Sequence, residues 1–101
     1  MSWFLVRIEL VHKPSAPTSD DYTELHARMA QAGFHTTVAS NSGQRFALPP
    51  AEYFGVGQVT LTSAKQAAVN AVSSGLRAGL TFRVFAAEVQ AWESHNLAAA
   101  A

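Results

Sequence analysis

The order of the hydrophobic periods constrains this chain most. Residues 3–12 alternate: Phe4, Val6, Ile8 and Leu10 share one parity, while Trp3, Leu5, Arg7, Glu9 and Val11 share the other. Successive side chains of a strand point to opposite faces. The first set therefore predicts a face under the core, and the second an open face that mixes apolar and charged groups. Residues 18–33 have helical spacing instead, with Tyr22, Leu25, Met29 and Ala32 recurring on one side. Thr18 suits the N-cap, Asp21 stands three residues later as a shortened capping-box acid, and Gly33 can stop the helix. Asp20 and Glu24 add negative charge where the helix dipole favours it. Residues 34–39 alternate again, Asn41-Ser42-Gly43 supplies a short hairpin turn, and 44–48 return as a strand. A second helical stretch at 62–79, capped by Thr62, and an extended run at 81–88 complete the pattern. The inner line of that helix (Ala64, Ala68, Ala71, Val72, Gly75, Leu76) is mostly small, which predicts a close approach to the sheet.

The order β-α-β-β-α-β predicts an α+β fold: a ferredoxin-like two-layer sandwich, antiparallel sheet order 4-1-3-2, with two helices on one face. Pro49-Pro50 interrupts the third strand. Residues 52–61 then read either as its continuation after a bulge or as a long loop with its own edge strand. A length of 101 residues gives one domain, taken as 1–97. The alanines at 98–101 show no packing logic and read as a disordered or vector-derived tail. Hydrophobic residues make up 49% of the chain and charged ones 14%, more apolar surface than one small core hides. That predicts apolar surface kept for a partner.

Net charge is zero, which removes any global electrostatic case for nucleic acid, although five of the seven cations are Arg. Arg suits bidentate contact with phosphate. There is no cysteine, so disulfides and thiolate metal sites are excluded. No apolar run reaches membrane-spanning length, and Arg7 and Glu9 interrupt the first one, so a cytoplasmic protein is expected. His12, His26, His35 and His95 lack the close pairing of a zinc site, and neither a metal nor a cofactor is expected. Gly55-x-Gly57 lacks the third glycine of a dinucleotide loop, and the serines have no elbow context.

On the expected topology, His12, Lys13, Asn41, Arg45 and Arg83 gather along one edge of the sheet. Two arginines there could hold a phosphodiester and a histidine could move a proton. His12 is then the acid or base, Arg45 and Arg83 the phosphate contacts, and Lys13 and Asn41 the RNA-binding residues. The bland alternative is that strand ends are solvated and polar in any case. For His26, beside Tyr22 and Met29, a hydrogen-bonded, partly buried imidazole is expected rather than a ligand. Trp3, Leu5, Val11 and Phe85 on the open face predict a dimer interface. Trp3, Phe85 and Trp92 could alternatively stack on bases.

The run Phe4-Leu5-Val6-Arg7-Ile8-Glu9-Leu10, then Asp21-Tyr22-x-x-Leu25-His26-x-x-Met29, Gly33-Phe34 and Leu48-Pro49-x-x-Glu52-Tyr53, resembles small bacterial proteins related to the GhoS-type antitoxin. That antitoxin is a ferredoxin-like endoribonuclease that silences the messenger of a small membrane toxin. Its fold is similar to that of the CRISPR-associated spacer-integration partner protein. The resemblance implies an RNA-handling, antitoxin-like homodimer that acts on single-stranded RNA as a metal-independent endoribonuclease. The CRISPR-type proteins carry a metal-binding Asp where this chain has His12, which argues against metal-dependent cleavage. No catalytic residue of the family transfers to a matching position. The competing expectations are a non-enzymatic homodimeric interaction module and a small-molecule binder using a cleft beside residues 52–57.

Overall fold

A computed structural model describes residues 2–12, 16–40 and 42–100, with His12 described by its backbone alone. The elements in order are β1 (Ser2–His12), α1 (Ser19–Gln31), β2 (Thr37–Ala39), β3 (Arg45–Ala47), β4 (Glu52–Gly57), α2 (Leu61–Ser73) and β5 (Leu80–Val89). The fold is α+β, with two helices and antiparallel sheets. β1 is the central strand of a three-stranded sheet of order β4-β1-β5. It faces β4 from Ser2 opposite Gly57 to Arg7 opposite Glu52, and β5 from Trp3 opposite Val89 to His12 opposite Leu80.

The alternation of β1 sorts its side chains as the strand pleat requires. Phe4, Val6, Ile8 and Leu10 are buried together with Tyr53, Leu25, Met29, Ala64, Ala68 and Val72. Both helices therefore cover the same face of the sheet. Phe82 and Val84 pack against this core, whereas Arg83 and Phe85 point to the uncovered side. Gly55 lets the turn after α1 close onto β4. A Cβ there would lie 2.8 Å from the Phe34 ring and 3.1 Å from the Gly33 carbonyl.

α1 begins as its sequence predicts. The Thr18 hydroxyl accepts from the Asp21 amide at 3.2 Å, and the Asp21 carboxylate accepts from the Thr18 amide at 2.8 Å. α2 departs from expectation at both ends. Its N-cap is Thr60, whose hydroxyl accepts from the Ser63 amide at 3.1 Å, so Thr62 lies inside the helix. It stops at Ser73 rather than running to Gly79. There Arg28 of α1 donates from Nε to the Ala71 carbonyl at 3.1 Å and from Nη2 to the Val72 carbonyl at 3.4 Å. Gly79, with φ +89°, instead turns the chain into β5.

The third strand expected at 44–48 also needs correction. β3 does not join the central sheet; it pairs with β2 in a separate two-stranded ribbon. The strand beside β1 is β4, from the stretch after the prolines. Pro49 and Pro50 cannot donate to a ladder, and Ala51 takes φ 67° before its carbonyl accepts from the Ile8 amide at 3.0 Å. The ribbon is tied to the sheet by one antiparallel pair: His35 N donates to Phe54 O at 2.9 Å, and Phe54 N to His35 O at 2.8 Å.

Ala98 to Ala100, expected to form a tail, pair with β3, and Ala101 lies outside the described residues. Ala47 N donates to Ala98 O at 2.8 Å and Ala100 N donates to Arg45 O at 2.9 Å, adding a short segment to the edge of β3. Backbone pairing needs no side chain, which is why hydrophobic patterning missed it. Among the described residues, no helix is long and apolar enough to cross a membrane.

Candidate functional site

Among the described residues, Arg45 does not join Arg83 and the end of β1 at one edge of the sheet. Arg83 stands opposite Glu9, and its Nη1 pairs with the Glu9 carboxylate at 3.0 Å, both groups exposed. His12 is opposite Leu80, three residues from Arg83, or about 10 Å along the strand. Arg45 bonds the Thr37 hydroxyl across the ribbon and shares a cleft with Trp3. Trp3 is nine residues before His12 on β1, which sets that cleft roughly 30 Å from the strand end. Lys13 and Asn41 lie outside the described residues. The expected gathering needed strand three beside β1, and β4 occupies that position.

The residues expected at a dimer interface all lie on the uncovered face, in different surroundings. Phe85 is 67% exposed and opposite Arg7. Val11 is half-buried opposite Thr81. Trp3 is 37% exposed, with its ring centroid 6.2 Å from that of Phe54. Leu5 lines a cleft inside the molecule.

What the fold does build is a pair of adjoining clefts. They lie between the open sheet face, the β2–β3 ribbon and the segment that follows β5. The larger has a volume of about 910 Å³ and carries the rings of Trp3, Phe54 and Trp92 with the polar groups of His35, Thr37 and Arg45. Among the described residues, no Asp or Glu lines it. The smaller, about 340 Å³, holds Leu5, Leu48 and Leu97 with Glu52, Glu93 and His95. Val38, Phe54 and Trp92 border both. The two clefts thus differ in charge: one offers a guanidinium and an imidazole, the other two carboxylates.

Each cleft residue has a local reason to be there. Phe34 enters the core, so strand parity turns His35 outward, and the paired bonds to Phe54 fix its backbone. Arg45 is anchored by Thr37, two strand positions from its partner Ala39. Trp92 comes from the segment after β5. The sequence reading named Arg45 and Trp3 but placed them apart, and it missed His35 and Phe54. The usable signal was the parity of Phe34 and His35.

His26 behaves as its surroundings predict. Its Nδ1 lies 2.7 Å from the Tyr53 hydroxyl, and the ring is partly buried against the tyrosine. Burial pushes the imidazole below its ordinary pKa and the Tyr53 phenol above its own, with Tyr22 adding to the latter. Tyr22 in turn accepts from the Leu10 amide at 3.1 Å. This cluster ties α1 to the sheet on the covered face. Among the described residues, no group of three His, Asp or Glu is arranged to hold a metal ion.

Neither a protein-family model, nor a curated protein, nor a solved structure matches this chain.

Proposed function

We propose that this protein is an RNA-handling, antitoxin-like module that binds single-stranded RNA in the larger cleft. The observation that carries this reading is the joint presence of Trp3, Phe54 and Trp92 with Arg45 and His35 in a cleft that no Asp or Glu among the described residues lines. Bases have π faces that stack on such rings regardless of sequence, each stack contributing about 1–3 kcal/mol. A guanidinium supplies a forked donor for phosphate. The fold is read as ferredoxin-like, with β1, β4 and β5 as strands one, three and four. His35 beside Phe54 then stands for strand two, giving order 4-1-3-2.

This is a reading of binding. A general acid or base must lie within hydrogen-bond reach of the proton it moves. Cleavage with His12 and Arg45 acting on one phosphodiester has no support from the register, which sets them far apart.

The test is fluorescence anisotropy of a labelled single-stranded oligoribonucleotide at low salt. Arg45→Ala and Trp92→Ala should each weaken binding while circular dichroism stays unchanged. Equal affinity in the wild type and both variants would dispose of the reading.

A second reading, a non-enzymatic homodimeric interaction module, is favoured by Phe85, among the described residues the most exposed of the large apolar side chains. It expects self-association that Phe85→Glu abolishes. An identical sedimentation profile for the two proteins would count against it.

A further inference from the structure

Residues 90–100 leave the end of β5, pass over the open face and finish against β3. On the way they contribute Trp92 to the wall between the clefts. Asn96 turns the segment with φ 59°, a left-handed conformation that asparagine tolerates better than most residues. Beyond Leu97 the segment docks through its backbone, Ala98 O accepting from Ala47 N and Ala100 N donating to Arg45 O. Alanine has little surface to bury, so ladder bonds rather than side-chain packing hold it at that edge.

The acceptor of the Ala100 bond is Arg45, whose side chain lines the larger cleft. Docking the strap therefore positions two parts of one site: the Trp92 ring, carried on the strap, and the backbone that bears the Arg45 guanidinium. Detached, the strap would take Trp92 with it and leave the edge of β3 unpaired.

We infer that backbone pairing of Ala98 and Ala100 with β3 is the positioning element that assembles the larger cleft. Occupancy of the cleft and docking of the strap then strengthen each other, since coupling between two equilibria is reciprocal. The inference rests on the RNA-binding reading for its ligand, though not for the strap's structural role. Ala98 and Ala100 touch no ligand; they act through Trp92 and Arg45.

The test uses the full chain. Ala100→Pro deletes the N–H that reaches Arg45, whereas Ala100→Val keeps it. Three quantities are measured: amide exchange at Ala47, acrylamide quenching of Trp92 in a Trp3→Phe background, and anisotropy of a short labelled oligoadenylate without the Trp3 change. Ala100→Pro should speed Ala47 exchange, raise Trp92 quenching and weaken oligoadenylate binding about tenfold. Ala100→Val should match the wild type in all three. In the unaltered protein, saturating oligoadenylate should slow Ala47 exchange, the same coupling measured from the other side. Unchanged exchange and quenching in Ala100→Pro would overturn the inference, as would a loosened strap with wild-type affinity. If the wild type binds no oligoadenylate, the RNA reading fails. Trp92 quenching then still decides whether the strap positions the cleft wall: a rise supports it and no change sinks it.

Discussion

The Asp21 carboxylate accepts from the Thr18 amide and hydroxyl on one side, and from Arg77 Nε and Nη2 at 3.0 and 2.9 Å on the other. It joins the α1 cap to the turn that precedes β5, residues 56 positions apart. The Arg77 bonds, followed by the Thr18 amide, hold its carboxyl far below the usual carboxylate range. A carboxyl depressed in the folded state takes up its proton first in the unfolded chain. Its contribution is thus present above the unfolded value, about pH 4, and is lost as pH falls below it. A thermal unfolding series from neutral to acidic pH should show this loss. Asp21→Asn should start from a lower midpoint at neutral pH and decline less steeply on acidification; parallel curves for the two proteins would contradict the assignment. At His26 the sign is the same and the window higher. Burial depresses the imidazole, so its contribution is complete above about pH 6.5 and wanes as the pH drops through that value. Its partner Tyr53 is fully buried, and Tyr53→Phe removes a hydroxyl while leaving the ring. Loss of the hydrogen bond should cost about 1 kcal/mol in denaturant titration.

At the scale of elements, local grammar was readable and long-range partners were not. The faces of β1 residues Trp3 to Val11 follow from parity, and the α1 cap follows from Thr18 and Asp21 at the right spacing. The start of α2 is misplaced at Thr62 by sequence, because Thr60 precedes the same apolar line with an equally suitable side chain. Only the Ser63 amide, bonded to Thr60, decides between them. The cap therefore predicts an asymmetry between two similar substitutions. Thr60→Ala should lower stability by about 1 kcal/mol, the usual cost of a lost N-cap. Thr62→Ala, in the exposed first turn, should stay within about 0.5 kcal/mol of the wild type. Equal losses from the two would assign the cap wrongly. The other end of α2 was hidden for a different reason. Its last carbonyls are capped by Arg28, 43 and 44 residues away from Ala71 and Val72, and no local pattern announces a cap from another helix. Strand three shows the same limit. The prolines at 49 and 50 marked a break, but which side of the break pairs with β1 is a question of register with a distant strand.

For the whole molecule the same distinction separates faces from sites. Parity placed Trp3, Leu5, Arg83 and Phe85 on the uncovered face, but the path of the ribbon and strap over that face depends on tertiary pairing. That path moves Arg45 next to Trp3 and Trp92 and away from His12. Zero net charge then makes the electrostatics of the proposed RNA site local. The larger cleft has a single arginine, and over the whole chain the seven lysines and arginines are offset by seven acids. For single strands the logarithm of affinity falls with the logarithm of salt by about 0.7 per phosphate neutralised. A site built on Arg45 therefore predicts a slope near −0.7, far shallower than that of a basic groove making many phosphate contacts. The two kinds of contact should come apart in variants. Trp92→Ala should lose about 1–3 kcal/mol of binding with the slope unchanged, because stacking releases no counterions. Arg45→Ala should flatten the slope toward zero. Anisotropy titrations across a salt series measure all three. A wild-type slope several times steeper would mean that phosphate is held by a wider basic surface than this cleft. A slope surviving Arg45→Ala would move the anion contact to another cation, with Arg7 on the open face beside Phe85 the first to substitute.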